Sequence, residues 1–341
     1  MSISESDHSS PTVATTATEN TRSTSIRSTF KAQSAIESLS SIITTVPDSP
    51  NPSSSLLNDP EIASQICSLI RQADAGAGND NLCRWLYDTF QSTDPQLQLV
   101  VLRFLPILGG VYLSRVTLRK PLAGFEAVLL ALYAHETTSR SGQSMTVNVP
   151  DISHPSIYHE SNTVKNNATN LNLAVISPSL EPHGTVRSTK RARIVGVALE
   201  LYYSKISQLP VASKIDFCEF CEAWASGGDN DQQDSSVSSN GEGLELDQRE
   251  RMRIPLSWEL VQPILRILGH CLMGPNQKKN KKLFDAASCA CKSLYRRCLH
   301  DINPKAMLAT GSLLSLAKLS SDSQNDDIDY TEIRMTNAIS L

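Results

Sequence analysis

Apolar residues recur along most of this chain at helical spacing. Asp59-Pro60 pairs a side chain suited to cap a helix with one suited to its first turn, and Ile62, Ile66, Leu69 and Ile70 follow on one face. Gly76-Ala77-Gly78 ends that segment, and Leu82, Trp85, Leu86 and Phe90 form the stripe of a second helix over 81–90. Asp94-Pro95 repeats the start signal. The helix after it buries Leu97, Val100, Val101, Phe104, Leu105 and Leu108, and Pro106 predicts a kink. The next helix, 122–137, is apolar on nearly all sides, which places it in a core.

The periodicity breaks over 139–185, where β-branched runs at 145–149 and 171–176 predict a short strand pair within an irregular excursion over the helices. It returns from Thr189 through Ile194, Val197, Ala198, Leu201 and Tyr202, and again over 212–225. Six acids among Gly, Ser and Asn make 227–248 a solvated loop. Three helices, 257–273, 280–300 and 304–319, close the pattern. No fixed repeat period recurs. The expected fold is all-α: an irregular helical bundle or solenoid of antiparallel helix pairs with a long loop excursion. The expected domain spans 59–320, between a disordered tail over 1–58 and a flexible tail over 321–341.

Composition accounts for the first tail. Of the first 55 residues 25 are Ser or Thr, too polar a stretch to offset its ordering entropy by burial. Ser10-Pro11 and Ser49-Pro50 make Ser10 and Ser49 candidate sites of proline-directed phosphorylation. The net charge of −4 over 341 residues argues against a dedicated nucleic-acid binder. Two basic clusters nevertheless stand out, Lys190-Arg191-Ala192-Arg193 and the run containing Lys278, Lys279, Lys281 and Lys282, either of which suits anionic lipid or RNA phosphate. A solvated helix start is the simpler reading of both. The apolar run 97–113 carries Arg103, Pro106 and Gly109-Gly110, which argues against a membrane span, and no secretory signal is expected ahead of the eight cysteines.

Those cysteines are expected as reduced thiols packed in helices. Cys218 and Cys221 have CxxC spacing and Cys289 and Cys291 add a CxC, but both pairs sit in apolar helical patterns rather than on zinc-knuckle turns. No nucleophile elbow, phosphate loop, dinucleotide fingerprint or HExxH is present, so no catalytic residue, cofactor or metal is expected.

Two stretches resemble the hyccin family: Pro155-Ser156-Ile157-Tyr158-His159-Glu160, and Arg253-Ile254-Pro255-Leu256-Ser257-Trp258-Glu259-Leu260-Val261 followed by Gly274. The order of segments agrees, with Phe104-Leu105-Pro106 ahead of the loop, over about 80–320. The chain is similar to a plant-like or otherwise divergent member, its Ser/Thr-rich extension being N-terminal and its C-terminal tail short. The resemblance implies a non-enzymatic, all-helical subunit. Such a subunit packs along a tetratricopeptide-type scaffold protein and stabilises phosphatidylinositol 4-kinase III alpha, while a separate membrane-anchoring peripheral protein brings the complex from the cytosol to the plasma membrane. The alternatives are a helical RNA- or anionic-lipid-binding module using the basic clusters, and a small zinc-bearing regulatory protein.

Candidate partner contacts follow from the residues. Ile157 and Tyr158 lie on the irregular loop, where insertion into the helices is the simpler role. Ser257 suits the cap of the helix holding Leu260, Val261, Ile264, Leu265, Leu268 and Leu272, with Pro263 in its middle. Trp258 stands at its start and Ile267 off its stripe, so both are candidates for the scaffold-facing surface.

Overall fold

The computed structural model describes residues 28–44, 51–116, 121–150, 171–182, 190–225, 254–274 and 280–322. Among them the chain is all-α with one two-stranded sheet. Helix α1 covers 28–40, α2 Pro52–Asn58, α3 Pro60–Arg71, α4 Asn81–Gln91, α5 Pro95–Val116 and α6 Ala123–Ser139. Strands β1 (Met145–Pro150) and β2 (Leu171–Ser177) follow, then α7 (Arg191–Ser204) and α8 (Val211–Ala225). Helices α9 (Trp258–Met273), α10 (Lys281–His300) and α11 (Pro304–Asp322) complete it.

Local chemistry sets the helix starts. Asp59 accepts from the amides of Glu61 (2.8 Å) and Ile62 (3.3 Å), and Asp94 from Gln96 (2.9 Å) and Leu97 (3.2 Å). Each Asp-Pro pair thus works as its sequence implies. Asp80 does the same for α4 and also accepts from Gly76 N at 2.7 Å. Ser257 occupies the cap position of α9, but its side chain makes no capping bond, contrary to expectation.

The helices form two rows. One runs α4, α6, α7, α9, α11, and the other runs α5, α8, α10 beside it. Helix α5 is the hub, touching α2, α3, α4, α6, α7 and α8. By length and composition it could cross a membrane, yet nearly all of it is buried in this core. It continues through Pro106. Its Gly110 admits α8, since a Cβ there would meet the Phe220 ring at 2.3 Å. Gly196 brings α7 against α9 in the same way, a Cβ there meeting Glu259 O at 2.5 Å.

The expected strand pair forms, antiparallel, with Val147 opposite Ala174 and Asn148 opposite Leu173. Its base is tied down by Arg140 Nη1 donating to Ser177 Oγ at 2.9 Å and by Gln262 Nε2 donating to Ile176 O. Val147, Val149, Leu173 and Val175 are exposed, so the pair does not lie flat on the helices as expected.

Part of the expected tail over 1–58 belongs to the fold, namely 28–44 and 51–58, while 1–27 and 45–50 lie outside the described residues. Ala32, Ala35, Ile36, Leu39 and Ile43 are buried, and α1 packs over α4, where the Trp85 indole donates to Ala35 O at 2.9 Å. Leu56 and Leu57 of α2 are also buried. The high Ser content hid a short amphipathic helix whose inner face is partly alanine. A chain starting at Asn58 should therefore lose stability by about 3 kcal/mol or more, given ~1.5–3 kcal/mol for each large apolar side chain withdrawn from water. Urea denaturation followed by tryptophan fluorescence measures this; an unchanged midpoint would show that α1 contributes nothing.

Candidate partner-binding surface

The buried groups capable of chemistry are spent on the fold. Cys218 and Cys221 of α8 face Cys271 of α9, and Cys221 also neighbours Cys291 of α10. A hydrogen bond with Cys271 and then burial push the Cys218 thiol up, and burial does the same for Cys221. Burial raises Cys67 to about 11 and Cys291 to about 12. Such thiols stay protonated near neutral pH, which makes them poor nucleophiles. Among the described residues no group of three or more His, Cys, Asp or Glu is placed to hold a metal.

The basic side chains of the first cluster are paired within the fold, although Lys190 stays exposed. Arg191 reaches Tyr112 Oη at 3.1 Å and Glu126 at 3.4 Å, Arg193 is buried and donates to Pro178 O at 3.1 Å, and Lys190 pairs with Glu181. Lys281 and Lys282, at the start of α10, are exposed. Lys278, Lys279, Ile157, Tyr158, Ser10 and Ser49 lie outside the described residues.

Ile267 is completely buried, which removes it from any partner surface. Helix α9 is packed by α7, α10 and α11 together, so its buried face is wider than the single stripe read from spacing. Trp258 is different. It is 39% exposed at the start of α9, with Lys305 Nζ of α11 5.9 Å from its ring centroid. Upstream, Ile254 is buried and its carbonyl accepts from Arg297 Nη2 at 3.3 Å, while Arg297 Nη1 donates to Trp224 O at 3.4 Å. Ile254 is thereby fixed to α8 and α10, which sets where Trp258 emerges.

Helix α11 ends the stack, resting on α9 and α10. Ala306 joins Val261, Leu265 and Cys298 in a satellite cluster against which Met307 and Leu313 pack, Thr310 and Ala317 are also buried, and Leu314 packs on the main core. Other large apolar side chains of the helix point outward. Leu308 is 74% exposed and Leu319 62%, with Leu316 also exposed. Lys305, Ser312 and Ser315 are exposed between them, so these residues form one continuous outer stripe at helical spacing. Ile302, 80% exposed in the α10–α11 turn, extends the stripe.

That turn is a Schellman motif: Asn303 N donates to Cys298 O at 3.0 Å and Ile302 N to Leu299 O at 3.2 Å. Ile302 has φ +49°, the left-handed conformation that this position reserves for glycine. A β-branched residue held there costs on the order of 1–3 kcal/mol. Sequence reading treated α11 as a closing core helix and missed this face. The spacing of Leu308, Leu316 and Leu319 was visible; nothing in it said which side of the helix faces the solvent.

Thiol chemistry tests the assignment of the cysteines. Cys289 is the exposed cysteine and should react with a maleimide at pH 8 within minutes. The buried thiols should react only on unfolding, and Cys67 slowly. Mass mapping after a timed quench measures this, and rapid labelling of Cys218 or Cys221 in the folded protein would contradict their burial.

Compared with known protein families, residues 47–340 match the Hyccin family, which takes in both the α9 start around Trp258 and all of α11. The chain belongs to the hyccin family.

Proposed function

We propose that this chain is a non-catalytic adaptor of a plasma-membrane phosphatidylinositol 4-kinase complex, stabilising the kinase and supporting phosphatidylinositol 4-phosphate synthesis. The family match over 47–340 carries the reading. The partners are a tetratricopeptide-type helical scaffold protein, phosphatidylinositol 4-kinase III alpha and a membrane-anchoring peripheral protein. The chain shuttles with them between the cytosol and the inner face of the membrane. A stack of helices that buries most of its cysteines and leaves apolar side chains outward at one end suits such a role. Exposed Lys281 and Lys282 suit a secondary contact with anionic lipid headgroups.

Within this reading Trp258 is an anchor for the scaffold protein. Large aromatic anchors commonly cost ~2 kcal/mol or more when cut to alanine, about a thirtyfold loss of affinity. Affinity purification of the tagged full-length chain should recover the lipid kinase and the scaffold protein, and Trp258→Ala should lower that recovery by roughly tenfold or more with its melting curve unchanged. An early melt would make Trp258 a fold residue. RNA recovered in place of the kinase, in a salt-sensitive manner, would replace the adaptor reading with a nucleic-acid one.

A further inference from the structure

A groove of about 510 Å³ opens between α1 and α4. Ala35, Trp85, Thr89 and Leu97 line it, and Phe30 stands at one end, 78% exposed. The two helices run antiparallel, since Lys31 donates to Ser92 O whereas Ala35 O accepts from Trp85. Two charged side chains of the α4 rim, Arg84 and Asp88, are exposed one turn apart. Among the described residues neither has an ion-pair partner. An aromatic-lined groove edged by an unpaired base and an unpaired acid suits a peptide that carries both charges.

The chain itself delivers one to the end of the groove. Ser28, the first residue of α1, donates to Asp94, so the segment ahead of it arrives beside Phe30. Read back from Ser28, that segment carries Arg27, Ile26, Arg22 and then Glu19. On α4, counted away from the same end, Asp88 comes first and Arg84 second. A chain doubling back along the groove therefore sets base against acid and then acid against base. Arg22 lies six positions before Ser28, a reach of up to about 20 Å, enough to turn and come level with Asp88. Ile26 is the one apolar side chain between Glu19 and Ser28, and it falls at the turn, next to Phe30. Tethering favours this segment over a free peptide, because a short linker holds it at an effective concentration in the millimolar range.

We propose that residues 19–27 strap back over the α1–α4 groove, with Arg22 against Asp88, Glu19 against Arg84 and Ile26 over Phe30. The proposal is independent of the adaptor reading. Exposed ion pairs are individually weak, so the strap gives a severalfold effect and releases readily.

Thermolysin cuts on the amino side of large apolar residues, and intact mass follows its cleavage of the Ser25–Ile26 bond in the full-length chain. The natural chain should be cut there severalfold more slowly than a chain carrying Arg84→Glu with Asp88→Arg. Glu19→Arg with Arg22→Glu should open the bond to the same extent. That second pair leaves the described fold untouched, so it decides the matter should the α4 pair fold poorly. All four substitutions together should restore protection, and added salt should narrow the gap between the natural and the reversed chains. Equal cleavage of the natural chain and the Glu19→Arg, Arg22→Glu chain would overturn the proposal, as would four substitutions that restore nothing in a chain with a normal melt. Protection that disappears on dilution would assign the groove to the tail of a second copy. Protection seen only with the scaffold protein present would assign it to a complex, and either result overturns the strap.

Discussion

A helix that is apolar on every side can be satisfied only by neighbours on every side, and α5 imposes that demand on the whole molecule. Its 22 residues are buried almost throughout. Water is excluded from it by α2, α3 and α4 on one part of its circumference and by α6, α7 and α8 on the rest. Each polar group carried into that core must then be met there. Arg103 is the severe case, and burial lowers its proton affinity. Its guanidinium donates to the carbonyls of Leu57 and, at 3.4 Å, Asp59, so the end of α2 and the start of α3 serve as its hydrogen-bond acceptors. Its own carbonyl accepts from Ser213 of α8 at 2.6 Å, and Ser213 shares a 3.1 Å hydrogen bond with Tyr202 of α7. One helix with nowhere else to go thus fixes the positions of four others.

Away from the hub, a second polar network sets orientation. Arg140 at the end of α6 contacts Glu136 and reaches Glu200 of α7 at 2.9 Å, and Arg266 of α9 approaches the same Glu200 at 3.4 Å. Buried ion pairs of this kind return little net stability, because desolvation offsets most of the attraction. They do penalise misregistered packing, since a shift of α7 along α9 would strand a charge. Arg140 also donates to Ser177, so the same guanidinium fixes the base of the strand pair. The pair stays narrow and exposed beyond that point, as two strands alone have no second layer to pack against.

Helix existence and type were legible wherever apolar spacing and a cap coincided. Asp59-Pro60 and Asp94-Pro95 give their helix starts to the residue, and the strand pair follows from two β-branched runs flanking a polar insert. Sequence failed in two physical situations. Helix α1 was lost because serine and alanine dominate it, and alanine contributes to a buried face without marking it as apolar. The two residues of α9 read as partner contacts differ in burial. Trp258 is exposed, whereas Ile267 is buried because α9 is enclosed by four helices, α7, α8, α10 and α11. Periodicity reports that a stripe exists. It does not report how many neighbours the helix has, and that number decides whether an off-stripe residue faces protein or solvent.

The two ends of the stack differ in a way that bears on function. At the first, α1 covers Trp85 with an amphipathic face and leaves Phe30 exposed on its outer side. At the last, α11 is seated through Ala306, Thr310 and Ala317 with Met307, Leu313 and Leu314 beside them. It rests on α9 and α10 alone among the larger contacts, and as the terminal element of the described fold it is the first expected to open locally. Any partner that binds the closed arrangement stabilises it in proportion to the logarithm of its concentration over its dissociation constant. Ordering of the last helix is then linked to assembly, and the linkage runs both ways. The partner tightens α11 against α9, and whatever tightens α11 improves the partner's affinity. A chain packed this way would gain most from a partner at its last helix, where few neighbours within the described fold compete for it.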